Sequence, residues 1–264
     1  MTTRTIAPTL APILQALELN RPQYVTLSLI DALCAENGVK TPARIVASRL
    51  KDKGWLIPTP VRGVWEFAPA EVAGPYSSGD PLEPLKVLLI SHADTTALLA
   101  GQAAAWAMGL ADRVPSRLEV AFAERPSFKI PPGIAASTYR MNLPPRVERG
   151  VQVLSPEALV VHMAERPASV QSWHSAAEWL PDVVYEISGD SILEELKGRP
   201  ASVAARTGYL LQGWRPDAAK AIMDAYPPKD IVWFGARKKA ARLDSFWKVA
   251  DSLLPFDPSK MKEV

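Results

Sequence analysis

Four side chains near residue 45 are spaced in a way that can do chemistry. Thr41, Arg44, Ser48 and Lys51 recur at i, i+3, i+7 and i+10. On a 100° wheel they share one side of a helix, opposite Ala43, Val46, Ala47 and Leu50. Two cations and two hydroxyls in one stripe suit the major groove of duplex DNA. There an arginine contacts guanine through two hydrogen bonds, and Ser, Thr and Lys reach base edges or phosphates. Arg44 is the expected base reader. Arg49 and Lys53 lie nearer the boundary of the stripe, where phosphate is the expected contact. Arg62 sits in Thr59-Pro60-Val61-Arg62-Gly63, a turn that would hold it at a tip facing the minor groove or the backbone. A helix face with two cations is common by itself. What gives this one meaning is the company it keeps, described below.

A second concentration of charge lies near the end of the sequence. Lys229, Arg237, Lys238, Lys239, Arg242 and Lys248 stand against Asp230 and Asp244 within twenty residues. Such a cluster can hold a phosphate backbone, an acidic protein face or only solvent. Arg237, Lys238, Lys239 and Arg242 are therefore candidates for contact with DNA or with a protein partner. Trp233, Phe234, Phe246 and Trp247 flank them, which anchors the segment on a core. The remainder of the sequence offers little catalytic chemistry. The three histidines, His92, His162 and His174, are not paired at ligand spacing, so no zinc site or other cofactor is expected. There is no phosphate-binding glycine loop and no nucleophile elbow. Asp94 follows His92 closely, but its expected role is to cap the helix after it. No catalytic residue is assigned and no enzyme is expected. A deep pocket joining His92 and Asp94 to other ionisable groups would overturn that.

The elements that must position the first stripe are clearly punctuated. Thr9 to Leu19 has helical spacing and stops at Asn20-Arg21-Pro22. Tyr24 and Val25 are extended, and Thr26 caps a second helix that ends at Asn37-Gly38. Thr41 as N-cap and Pro42 at the first position open a third helix, which Gly54 closes. Trp55-Leu56-Ile57 and Val64-Trp65-Glu66-Phe67 surround a Pro/Gly turn and read as a β-hairpin, with Trp55, Trp65 and Phe67 facing the helices as core. Three helices and a hairpin within about 60 residues give the order of a winged helix-turn-helix. Cys34 falls on the buried face of the second helix and is expected to be inert.

At 264 residues the length suits two domains of roughly 150 residues each. The expected class is α+β: an N-terminal winged helix-turn-helix domain over 1–72, a linker over 73–84, and a larger mixed α/β domain over 85–264. The linker reading rests on four prolines, two glycines and two serines in Ala68 to Pro84. Beyond it, Leu85 to Ser91 reads as a short helix or a strand, and Asp94 opens an Ala-rich helix to about Leu110. Arg117 to Ala123 alternates as a strand. Short strands and turns follow, then helices from Pro156, Trp173, Ile192, Ala201 and Pro216, and a strand at Ile231 to Phe234.

Thirty Lys and Arg against 28 Asp and Glu leave a net charge of +2, which excludes a charged disordered tail and a uniformly basic coat. The first 75 residues hold eight cations and six anions, so DNA binding would call for a dimer or help from elsewhere in the chain. One cysteine excludes an internal disulfide framework and fits a reducing compartment. The first twenty residues lack a secretory pattern, and the longest uncharged stretch, Thr95 to Ala111, is too short to span a bilayer. A cytoplasmic location is expected. Twenty-five prolines, about twice ordinary usage, predict many short elements joined by stiff turns.

With these residues in view, the sequence resembles the AbiEi family of antitoxins from bacterial AbiE toxin–antitoxin systems. The likeness runs through Leu50-Lys51-Asp52-Lys53-Gly54-Trp55-Leu56 and Arg62-Gly63-Val64-Trp65-Glu66-Phe67. It continues at Ser91-His92-Ala93-Asp94, at Arg206-Thr207-Gly208-Tyr209-Leu210-Leu211 and at the basic stretch before Asp244-Ser245. Thr207 stands where the family pattern has Leu. The resemblance implies two activities in abortive infection. One is repression of its own operon through inverted repeats in operator DNA. The other is neutralisation of a cognate nucleotidyltransferase-like toxin, chiefly through the second domain. The alternative is an interaction module whose winged helix binds a partner protein and not DNA.

Overall fold

The computed structural model describes residues 7–71 and 79–262. Contacts divide the chain into two compact units, Met1–Asp94 and Thr95–Val264, and the whole is a mixed α+β protein.

In the first unit, α1 (Ala11–Asn20) leads through β1 (Tyr24–Thr26) into α2 (Leu27–Glu36). The Thr26 hydroxyl accepts the Leu29 N–H, so the residue that ends β1 also caps α2. At the other end Gly38 takes a positive φ of 65°. α3 (Ala43–Asp52) follows, then β2 (Leu56–Pro58) and β3 (Val64–Phe67). The three strands form an antiparallel sheet in the order β1-β3-β2, with Val25 opposite Trp65 and Leu56 opposite Phe67. One cluster fills the space between helices and sheet: Ile13 and Leu17 from α1, Ile30 and Leu33 from α2, Val46 and Leu50 from α3, and Trp55, Leu56 and Phe67 from the hairpin. Trp65 packs partly buried against it. Cys34 belongs to the same core, and burial raises its thiol pKa, which keeps it protonated and unreactive.

The third helix starts one residue later than expected. Pro42, not Thr41, occupies the N-cap, and no side chain caps the end. Pro42 keeps an extended ψ of 137°, and its carbonyl accepts the N–H groups of Ile45 and Val46. The proline is thus the last extended residue and not the first helical one.

Residues 72–78, which include the first six residues of the expected linker over 73–84, lie outside the described residues. α4 (Glu83–Ser91) resolves the helix-or-strand choice at Leu85 to Ser91. It groups with the first unit, so the contact boundary at Asp94 falls ten residues beyond the expected end of the linker. Leu85, Val87 and Leu88 are buried, and Lys86 donates to Asp80 at 2.7 Å.

The second unit opens on β4 (Ala97–Leu99) and α5 (Gly101–Ala107). The single Ala-rich helix expected from Asp94 is therefore wrong. Ala97, Leu98 and Leu99 are all buried, because β4 is a central strand between β5 (Leu118–Phe122) and β8 (Val151–Val153). With β6 (Ile134–Thr138) and β7 (Arg146–Glu148) they form a mixed sheet ordered β6-β5-β4-β8-β7. Asp94 caps nothing. The amide of Gln102 at the start of α5 donates instead to the Glu119 carboxylate of β5, which also accepts the Gln171 N–H. Burial pushes the Glu119 pKa up while these amides pull it down. Gly101 has φ of 52°, and a Cβ there would lie 2.1 Å from Glu119 Oε2, so only glycine lets the helix start against that carboxylate.

Five helices follow: α6 (Pro156–Glu165), α7 (Trp173–Tyr185), α8 (Gly189–Leu196), α9 (Ala201–Leu211) and α10 (Pro216–Ala225). Ser155 caps α6 with Pro156 at its first position, as the sequence implies. α9 packs against α6 and α10. Thr207 is fully buried in α9, where its hydroxyl donates to the Val203 carbonyl. A small terminal sheet, β9 (Val232–Phe234), β10 (Arg242–Asp244) and β11 (Val249–Asp251), is ordered β10-β11-β9 and packs on α9. Trp247 lies directly over Gly208, where a Cβ would come within 2.1 Å of its ring.

Candidate nucleic-acid interface

The exposed side of α3 and the β2–β3 hairpin enclose one cleft of about 390 Å³. Arg44, Ser48 and Lys51 line it from the helix, Arg62 and Gly63 from the hairpin turn, and Trp65 from β3. Ala47 of α3 and Leu27, at the start of α2, complete it. Four of the six side chains expected at this interface, from two elements separated by β2, thus face the same concavity. Thr41 is half-buried beside the start of α3, and Arg49 is exposed on the helix; neither lines the cleft.

The local sequence explains this arrangement. Val46, Ala47 and Leu50 are buried, which fixes the rotation of α3 and turns Arg44, Ser48 and Lys51 outward. Arg49 and Lys51 fall in the last helical turn, where the negative end of the helix dipole favours cations. The hairpin turn is held from within, as the Thr59 hydroxyl donates to the Val64 carbonyl at 2.9 Å. Gly63 has φ of 86°, and a Cβ there would lie 3.7 Å from Leu27 Cδ1; the Leu27 N–H donates to the Gly63 carbonyl at 3.3 Å, so the turn carrying Arg62 sits close to α2. Among the described residues, Lys51 is the one cation of the cleft with an ion pair, a loose 3.7 Å approach to Asp52 on the surface.

The C-terminal cations divide differently. Arg237, Lys238 and Lys239 are exposed in the loop between β9 and β10. Arg242 is committed to the fold. Its guanidinium donates to the fully buried Asp251 carboxylate at 2.6 Å and to the Leu254 carbonyl. Tyr209 donates to the same carboxylate at 3.0 Å, and the amides of Leu253 and Leu254 complete its shell. Asp251 passed unnoticed in the sequence, because nothing local marks one aspartate as buried.

A second cavity, of about 280 Å³, lies in the larger unit against β6. Arg117, Glu119, Ser137, His162 and Ser169 supply its polar lining. Ser137 Oγ and His162 Nε2 share a 2.9 Å hydrogen bond, while Nδ1 is buried with no hydrogen-bond partner among the described residues. The imidazole therefore lacks the carboxylate that orients a catalytic histidine. Burial lowers its pKa to about 3 and keeps it neutral. Neither cavity includes His92 or Asp94. Among the described residues no group of three His, Cys, Asp or Glu could hold a metal ion, and no helix is long and apolar enough to cross a membrane.

These features define a class: a two-unit α+β chain with a small unit of helices and a three-stranded sheet, open at a cationic cleft, joined to a larger unit built on a mixed sheet. Residues 96–213 match the family model of the AbiEi antitoxin C-terminal domain. Over that segment the chain is similar to the antitoxins of the AbiEi family. A crystal structure of the RV2827C protein from Mycobacterium tuberculosis is similar over 96% of this chain and 94% of that one, with a TM-score of 0.79 and 26% identity. No curated protein matches the chain.

Proposed function

We propose that the chain is an antitoxin that also binds operator DNA and represses its own operon. In this reading the first unit is a winged helix-turn-helix. α2 and α3 form the turn pair, α3 enters the major groove, and the β2–β3 hairpin is the wing. The observation that carries the reading is the convergence of Arg44, Ser48, Lys51 and Arg62 on one open cleft between helix and hairpin. Arg44 reads a guanine edge, Ser48 and Lys51 reach bases or phosphates, and Arg62 meets the backbone or the minor groove. Thr41 and Arg49 contact phosphates at the margins of the helix. The unit's small net charge calls for two copies on the inverted repeats of a palindromic site. The second unit acts on a cognate nucleotidyltransferase-like toxin.

A gel-shift with duplex DNA from upstream of the chain's own gene, at physiological salt and with non-specific competitor, tests the first half. A discrete complex formed only with that DNA supports it. No complex, or equal affinity for any duplex, contradicts it.

A further inference from the structure

α3 carries one large apolar side chain that the core of its own unit does not use. Val46, Ala47 and Leu50 turn inward, and Ala43 packs against the same core. Ile45 stays outside it and is 45% exposed. It lies in the first turn of the helix, next to exposed Arg44 and one turn before exposed Ser48 and Arg49. Side chains three and four positions apart are neighbours on a helix surface, so Ile45 shares its surface with residues expected to meet DNA. Neither propensity nor burial explains an isoleucine there. Ala, Lys, Gln and Glu are better helix formers, and a half-exposed aliphatic group adds little to the core. The branched side chain is stiff at χ1, so docking it against a partner costs little rotamer entropy.

We propose that Ile45 is a specificity residue of the DNA-binding surface and that it reads the C5 methyl group of a thymine. The inference rests on the operator-binding reading above and adds a base to it. The major groove presents one alkyl group, the thymine methyl, and an exposed aliphatic side chain is its chemical match. The early residues of a recognition helix are also the ones that touch base edges. Arg44 adjoins Ile45, and a residue rises about 1.5 Å along a helix against about 3.4 Å for a base pair. The thymine therefore belongs to a base pair next to the guanine that Arg44 contacts. A protein partner fits less well. A second copy packed on this face would bring Arg44 and Arg49 of both chains together. One aliphatic side chain is also far smaller than the apolar centre of a stable protein interface.

The experiment uses the purified full chain and duplex DNA from upstream of its own gene. Thymines are replaced one at a time by deoxyuridine, which removes the methyl group and keeps every hydrogen-bonding atom. Affinity is read by fluorescence anisotropy at one fixed salt concentration. For the wild-type chain one thymine in each half-site should stand out, its replacement weakening binding about fourfold, the effect of burying one methyl group. Replacing both should weaken binding about 15-fold. Ile45→Ala should bind the thymine duplex about as weakly as the wild-type chain binds the doubly replaced one, and should treat the two duplexes alike. Ile45→Val, which keeps a branched apolar surface, should retain the distinction. Arg62→Ala, on the hairpin, should weaken both duplexes by the same factor. The deoxyuridine series needs no protein variant, so it reads the contact even where a substitution disturbs folding. If the wild-type chain binds its upstream duplex and no replacement changes affinity, Ile45 reads no thymine and the operator reading stands. If a replacement weakens the wild-type chain and Ile45→Ala equally, another residue reads the methyl group and the proposal is overturned. If the wild-type chain forms no specific complex, the operator reading fails, and the inference with it. Loss of self-association in Ile45→Ala, with its thymine preference intact, also overturns the proposal.

Discussion

The cleft on α3 and the Arg242 site on the terminal sheet use the same chemistry to opposite ends. Arg44, Lys51 and Arg62 line an open concavity whose one ion pair among the described residues is a loose surface contact. Arg242 instead finds a fully buried carboxylate on the adjacent strand, with a tyrosine and two amides already on it. Arg199 repeats the second pattern, donating to Glu165 and to the fully buried Glu195. A cation opposite a buried acid is bound to the fold, since separating the pair would strand a charge in low dielectric. A cation with only solvent opposite it gives little to stability and remains available to a partner. The two sets therefore separate by measurement: substitutions in one should move folding, and in the other should move binding alone.

Asp251→Ala gives the largest expected effect. It leaves Arg242, Tyr209 and two amides without their acceptor, and should cost about 3–5 kcal/mol, read as a lower melting temperature. Gly208→Ala should cost about 1–3 kcal/mol, since the new methyl group would collide with the Trp247 ring; a compensating Trp247→Phe change should restore part of the loss. His162 sharpens the contrast through pH. Its pKa falls from the ordinary 6.5 to about 3 on folding, so its contribution is complete above pH 6.5 and is lost as pH falls from there toward 3. The slope attributable to this residue is at most about 1.4 kcal/mol per pH unit. Melting temperatures of His162→Gln should therefore fall less steeply with acid than those of the wild-type chain. Thr26→Ala, which removes the cap of α2, should cost about 1 kcal/mol. Arg44→Ala should change stability by less than about 0.5 kcal/mol, and a large loss there would break the comparison.

The sequence made the first unit largely legible because its signals are local. Thr26 marks a cap, Gly38 and Gly54 end helices with positive φ, and the burial of Val46, Ala47 and Leu50 follows from spacing alone. Even the errors were small there, as at Thr41 and Pro42. The second unit depends on partners far apart in sequence. Ala97 to Leu99 form a strand because β5 and β8 flank them, against the helix propensity of alanine. Glu119 holds the start of α5 from another strand, and Asp251 captures Arg242 across the β10–β11 pair. No spacing rule announces such pairs. The Arg206-Thr207-Gly208-Tyr209 segment stands out in the sequence only by its resemblance to the family. Its physical reasons, the Trp247 ring on Gly208 and the Tyr209 hydroxyl on Asp251, emerge only in three dimensions.

The cleft itself is tested most directly by the salt dependence of binding to upstream duplex DNA, for the wild-type chain and for Arg44→Ala, Lys51→Ala and Arg62→Ala. Arg44→Ala should lose about 1–3 kcal/mol of affinity and relax preference at one base pair. Each cation that meets phosphate should reduce the slope of log affinity against log salt by about 0.9 when removed. Wild-type affinity and slope in all three variants would show that DNA does not bind in this cleft.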